Sequence, residues 1–394
     1  MNEKYFINDI CDVGSSKRIY LSEYQEIGIP FYRGKEIIEK DSNKDISNEL
    51  FISQERYNEI KEKFGVPKEG DILMTAVGTI GVSWYVNESN FYFKDGNLIW
   101  FKNFKKDKVV SKYLYYIFKS KMFNEIIKNI SIGSTQKAIT IEQVKKIQLD
   151  FPKIDIQKKI VNILDGINEK IRINNEINNN LSEQIKYIYN DIFTDYADYK
   201  RLDEISNVTI GKTPPRSEQE CFATNKNDVK WVSISDLGKS GMFIFDTSEK
   251  LTHEAVDKYN VKVIPEDTVI LSFKLTVGRT GFTTEDMTTN EAIAHFDLNN
   301  KELNNYLYCT LTYFNYSDLG STSSIATAIN SKIVKSIKIG IPSDEQLNKF
   351  NNLTSAMFKT IKNNESENIK LSDLRDILLP KLINGEIDLD NIEI

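Results

Sequence analysis

Between Ile160 and Ile192 apolar residues recur every three or four positions: Ile160, Leu164, Ile167, Ile171, then polar Asn174 and Asn178, then Leu181, Ile185, Ile188 and Ile192. This 4-3 alternation is the seam of a coiled coil. No proline interrupts the chain between Pro152 and Pro214, so the spacing predicts one helix of roughly 50 Å at about 1.5 Å per residue. The stripe is too narrow for a helix buried in a globular core, and it therefore requires a partner. A second stripe follows Pro342: Phe350, Leu353 and Met357, then polar Thr360, Asn364 and Glu367, then Leu371, Leu374 and Leu378. Paired antiparallel, the apolar ends would bury one another and the polar middles would meet, buried Asn fixing register at some cost in stability.

The chain in front of each stripe is duplicated. Ile7-x-Asp9-Ile10-x-Asp12-Val13 matches Leu202-x-Glu204-Ile205-x-Asn207-Val208, and FYRGKEI (Phe31 to Ile37) matches WVSISDL (Trp231 to Leu237). Val77-Gly78-Thr79-Ile80-Gly81 matches Val277-Gly278-Arg279-Thr280-Gly281. AITIEQVKKIQLDFP (Ala138 to Pro152) lies over AINSKIVKSIKIGIP (Ala328 to Pro342) with six identities in fifteen positions. Each repeat ends in a proline and runs into a long helix. Within each half, Gly70 to Val86 and Asp267 to Thr283 are rich in β-branched and aromatic residues punctuated by glycine, as strand-turn-strand units are. Lys108 to Ile130 has helical spacing, with a shorter counterpart near Asn304 to Tyr316. The expected class is α/β (α+β): domain 1–152, spacer helix 153–195, domain 196–342, then a second spacer helix and tail 343–394, with pseudo-twofold symmetry.

Composition narrows the chemistry. The 394 residues carry a net charge of -6, no run of about 18 apolar residues and no signal-peptide pattern, which predicts a cytoplasmic protein with no membrane partner. The charge is uneven: residues 1–150 hold 23 Lys+Arg against 21 Asp+Glu, whereas 343–394 hold 6 against 10. Such a balance permits DNA binding through local patches and predicts weak affinity for the chain alone. Cys11, Cys221 and Cys309 are far apart and never in a CxxC pair, and His253 and His295 are the only histidines, so neither a disulfide framework nor a metal centre is expected. Gly211-Lys212-Thr213 lacks the glycine that a phosphate-binding loop places five residues earlier, where Ser206 stands. Glu59-Ile60-Lys61 lies in a charged helical run and reads as a solvated face. No catalytic constellation emerges, and none is expected in this chain.

The halves do share polar loops of residue types that read base edges and grip phosphates. In the first half these are Arg33, Lys35, Thr75, Thr79, Thr135, Gln136 and Lys137. In the second they are Lys212, Arg216, Ser233, Ser235, Ser272, Lys274, Thr276, Arg279, Thr322, Ser323 and Ser324. An adaptor binding proteins through two domains across a coiled-coil spacer is the alternative that these residues leave open.

In its order of motifs the chain resembles the specificity subunit of type I restriction-modification systems. The resemblance rests on TIGKTPPR followed by WVSISDL, the VGTIG and VGRTG turns, and the Gly-Ser-Thr loops at Gly133 and Gly320. It extends to Pro152 with Gln157, Pro342 with Gln346, and the ending Leu378 to Ile387. It implies two target recognition domains binding the two parts of a split double-stranded DNA sequence, held apart by the antiparallel helices. It further implies two modification (methyltransferase) subunits that bring S-adenosylmethionine, and restriction subunits that bring ATP and Mg, with no cofactor in this chain.

Overall fold

The computed structural model describes residues 2–42, 46–131, 138–223, 225, 227–319, 329–387 and 389. Two compact units divide the chain: Met1–Glu169 with Leu371–Ile394, and Lys170–Lys370. Each unit takes one globular half and a stretch of both long helices.

The first globular half holds a four-stranded antiparallel sheet in the order Asp12–Gly14, Leu98–Lys102, Ile72–Thr75, Ser83–Tyr85. A second sheet runs Tyr24–Gln25, Phe51–Ile52, Ile29–Tyr32, Tyr92–Phe93, the last pair parallel. The second half repeats both. Its main sheet runs Ser206–Ile210, Ile293–Leu298, Val269–Ser272, Thr280–Thr283, with Phe243–Ile244 added in parallel as a fifth strand. Its companion runs Phe222–Ala223, Glu249–Leu251, Val229–Val232, Thr288–Thr289. In each half a short strand at the start, Glu3–Phe6 or Asp198–Arg201, pairs antiparallel with the strand leading to the domain-ending proline, Gln148–Phe151 or Lys338–Ile341.

The repeated acids explain themselves here. Asp9 accepts the Phe6 N–H at 3.1 Å and Glu204 the Arg201 N–H at 2.8 Å, each closing the start of a one-turn helix. A free backbone donor at a helix start has no intrahelical partner, so an acid three residues on supplies one. The helical stretch expected over Lys108 to Ile130 is two helices, Ser111–Lys119 and Lys121–Ile130. Ser120 divides them: its extended backbone (φ -71°, ψ 151°) ends the first, and its hydroxyl accepts the Phe123 N–H at 3.2 Å to cap the second.

The central helix spans Ile154–Ile192 and the C-terminal helix Asp344–Ile383. At the entry to the first, buried Gln157 accepts the Val110 N–H and donates to the Lys108 and Pro152 carbonyls, all at 2.9 Å. At the entry to the second, Gln346 accepts the Ser343 N–H at 3.0 Å and donates to the Ile192 carbonyl at 3.2 Å. Within the second unit the helices run antiparallel. Asn174 donates to Glu367 at 2.8 Å and Asn368 at 2.9 Å, and Asn364 donates to Asn178 at 2.8 Å. Asn174 and Asn178 are buried, and these bonds replace the water lost by the Asn174 amide nitrogen and the Asn178 oxygen. The Asn174 oxygen has no hydrogen-bond partner among the described residues.

The apolar faces also pack on the globular halves. Ile160, Val161 and Leu164 join Leu379, Leu382 and Ile383 in the core of the first unit, beneath Phe123, Phe151 and Ile117. Ile185, Ile192, Leu347, Phe350, Phe358 and Ile361 join the core of the second, with Tyr306 and Phe296. Ile167 is buried, whereas Ile171, Leu181, Ile188, Met357, Leu371 and Leu378 are half-buried. Two seam expectations are corrected: Leu353 and Leu374 are 47 % and 44 % exposed. Thr360 is exposed too, its hydroxyl donating to the Ala356 carbonyl of its own helix. The buried series is Phe350, Thr354, Phe358 and Ile361. A strict seven-residue step lags a straight helix by about 20° per heptad, so stepping from Phe350 to Leu374 walks off the buried face.

Glu365 continues that face. Its carboxylate accepts the Met242 and Phe243 N–H groups, both at 2.9 Å, and ties the helix to the edge strand Phe243–Ile244. Gly241 leaves it room, since a Cβ there would lie 2.0 Å from the carboxylate.

Candidate nucleic-acid interface

In each half the hairpin turn after the central strand lies against the start of a helix. In the first half the turn follows Thr75 and the helix is Gly34–Asp41; a Cβ on Gly34 would stand 3.8 Å from the Thr75 methyl. In the second the turn follows Ser272 and the helix is Ile234–Lys239, joined by Arg279, whose guanidinium donates to the Ile234 carbonyl at 2.8 Å. A Cβ on Gly238 would meet that guanidinium at 2.1 Å, so the helix must carry glycine there for the arginine to cross it.

Both turns are closed by the same bonds. Gly81 N–H donates to the Thr75 carbonyl at 2.9 Å, and Gly278 N–H to the Ser272 carbonyl at 3.0 Å. Val82 N–H donates to the Thr75 hydroxyl at 3.0 Å, and Arg279 N–H to the Ser272 hydroxyl at 3.1 Å. These bonds align Gly81, not Gly78, with Gly278, and correct by three residues the register that the glycine pattern suggested. Both glycines have positive φ (84° and 93°), and a Cβ would press on Ile127 in one half and on the Tyr316 ring in the other.

Thr75 and Ser272 are therefore corrected as DNA contacts: both are buried, with their hydroxyls spent on the turn. Ser233 is corrected as well. Its hydroxyl accepts the Asp236 N–H at 3.1 Å and donates to the Asp236 carboxylate at 2.7 Å, capping its own helix. Arg33 spends its guanidinium on Glu36, with bonds of 2.6 and 3.2 Å. Arg216 lies 4.2 Å from the Phe222 ring centre and pairs with both oxygens of Glu249 at 2.7 and 3.0 Å. Lys212 donates to the Tyr259 carbonyl at 2.6 Å, and Lys35 stands 3.9 Å from Glu39. Thr79, Ser235, Lys274 and Thr276 are exposed around the two turns. Thr135, Gln136, Lys137, Thr322, Ser323 and Ser324 lie outside the described residues.

Sequence reasoning missed the buried acids beneath both helix starts. Glu36 accepts the Arg33 N–H at 2.7 Å, and Asp236 accepts the Ser233 and Ser248 N–H groups at 3.0 and 3.1 Å. Burial pushes both carboxyls up, but the bonds from Arg33 in one case, and from Ser248 and Ser233 in the other, outweigh it and hold them below the usual carboxylate range. It also missed Leu275, which is 96 % exposed with φ 61°. Thr276 N–H donates to the Lys274 carbonyl at 2.7 Å, which makes Leu275 the centre of a γ-turn in its strained, positive-φ form. A leucine there costs about 1–2 kcal/mol. Aligned on Gly81 and Gly278 by the turn bonds, Leu275 occupies the position of Gly78 (φ 77°) in the other half, a match that the glycine pattern of the repeat misplaced by three residues.

The site presents hydrogen-bond donors, acceptors and positive charge on rigid turns, and the arrangement suits binding. Among the described residues no group of three His, Cys, Asp or Glu could hold a metal ion, and no helix is long and apolar enough to cross a membrane. A family model described as the type I restriction modification DNA specificity domain matches residues 2–183 and again 195–372. The type I restriction enzyme MjaIX specificity subunit of Methanocaldococcus jannaschii is 27% identical over 98% of this chain and 93% of its own length. The HindI specificity subunit of Haemophilus influenzae is 22% identical over 71% of this chain and 78% of its own. A crystal structure of a type I restriction-modification S subunit from M. genitalium superposes with a TM-score of 0.62 at 16% identity, covering 97% of this chain and 96% of that one, which shows a common fold. With the domain present twice and nearly the whole chain matched, the protein belongs to the type I restriction-modification DNA specificity family.

Proposed function

We propose that the chain reads a split, asymmetric DNA target, one part through each globular half, and docks the subunits that act on it. The observation that carries this reading is a turn and a helix start built twice with the same internal bonds and different exposed residues: Lys35 and Thr79 in one half, Ser235, Lys274, Leu275 and Thr276 in the other. A conserved frame with divergent tips suits two sites that bind the same kind of ligand with different sequences. The long helices act as the ruler for the unread gap. Their faces carry exposed isoleucines, Ile173 and Ile177 one turn apart and Ile369 on the C-terminal helix, and an apolar surface of that kind suits a protein partner. Two methyltransferase subunits would bring S-adenosylmethionine, restriction subunits ATP and Mg, and the assembly would work on DNA in the cytoplasm.

Methylation-sensitive sequencing of genomic DNA, with the gene present or deleted beside its methyltransferase partner, tests this directly. One two-part motif is expected to lose adenine methylation on deletion. An unchanged methylation pattern would sink the proposal.

A further inference from the structure

We infer that Leu275 is a base-reading residue of the second half: its side chain contacts the C5 methyl of a thymine in the major groove. This rests on the reading of the second half as a DNA reader and names one of its specificity contacts.

Among the described residues Leu275 is the most exposed large apolar side chain, and it gains nothing from the fold. Its backbone is strained, and three bonds hold it so: Thr276 N–H to the Lys274 carbonyl, Ser272 hydroxyl to the Thr276 carbonyl at 2.6 Å, and Arg279 N–H to the Ser272 hydroxyl. Strain that the surroundings over-determine marks a position kept for what it presents. The first half shows that the turn does not need leucine, because Gly78 fills the same place with no side chain. Chemistry then selects the ligand. The tip is flanked by exposed Lys274 and Thr276. A lone apolar tip between a cation and a hydroxyl suits a groove edged with phosphates whose floor offers one apolar group, and the thymine methyl is that group.

The test uses the full chain in complex with its methyltransferase partner and duplexes carrying its target. Each thymine of the two parts is replaced in turn by deoxyuridine, which removes only the methyl. At one thymine the wild-type complex should lose about three- to tenfold in affinity, as fits one apolar base contact. Leu275→Ala should lose the same factor on the thymine duplex and become indifferent to the deoxyuridine. Leu275→Gly, which places the residue of position 78 in the strained turn, should behave like the alanine variant and melt no lower than wild type, so that misfolding is separated from lost contact. Wild-type affinity in Leu275→Ala, or a loss equal on both duplexes, overturns the inference and leaves DNA reading by the second half standing. A wild-type complex with no preference for the split target over a scrambled duplex overturns both.

Discussion

Replacing Asp236 with alanine tests whether the start of the helix Ile234–Lys239 is held by the carboxylate beneath it. The carboxylate is 5 % exposed and accepts the Ser233 N–H and hydroxyl on one oxygen and the Ser248 N–H and hydroxyl on the other. The hydroxyls can rotate to other partners, whereas the two N–H groups cannot. A buried donor left unpaired costs about 1–3 kcal/mol. Ser248 is exposed, so water reaches its N–H once the carboxylate is gone. The larger loss falls on Ser233 and the helix cap, which brings the expected destabilisation of the second unit to about 2–3 kcal/mol. Asp236→Asn keeps one acceptor oxygen and should lose about half of that. Two compact units make a single unfolding midpoint ambiguous, so the assay is amide hydrogen exchange read by mass spectrometry, comparing peptides over 229–252 with their counterparts over 29–52. Faster exchange confined to 229–252 is expected. Because the folded carboxyl titrates below its ordinary value, its stabilisation is present above about pH 4 and fades as pH falls through the folded value, a fading that the asparagine variant should lack. Unchanged exchange in Asp236→Ala would show that the carboxylate does not hold the helix start.

His295 lies buried between the hydroxyls of Thr209 (3.0 Å) and Thr289 (2.6 Å), and burial pushes it down to about 3. Between that value and about 6.5 the unfolded chain binds a proton that the folded one does not, so stability should fall as pH drops through this window by up to about 1.4 kcal/mol per unit; thermal melts from pH 7 to 5 should show a slope that His295→Asn removes. Phe350→Ala should cost about 3–5 kcal/mol in urea unfolding and Leu353→Ala less than about 0.5, with equal losses refuting the burial assignment. Inserting one heptad in each long helix, between Leu164 and Ile188 and at the matching antiparallel position, adds about 10 Å, so methylation should move to a gap about three base pairs longer. Full methylation of the original gap would end the ruler idea.

The duplication was legible because it is written in residues whose roles are local. An acid three positions after a chain entry (Asp9 and Glu204) closes a helix start whatever surrounds it. Polar centres on two stripes also announced that the helices meet there, and Asn174 does meet Glu367 and Asn178 meets Asn364. Site residues were harder to read. Thr75, Ser233 and Ser272 have the side chains of a DNA contact, yet their hydroxyls are committed inside the fold; a residue type does not say which way it points.

The sequence by itself determined the two repeats, their mixed α/β class, the two long helices and the family, because periodicity, capping acids and turn glycines act over a few residues. Only the tertiary structure decided which face of the C-terminal helix is buried, since that depends on helical drift over many turns and on the cores that Phe358 and Leu382 meet. It alone decided that Leu275 stands free at a strained tip where Gly78 stands in the other half, because the register of the turns is set by hydrogen bonds between positions that no pattern of glycines records.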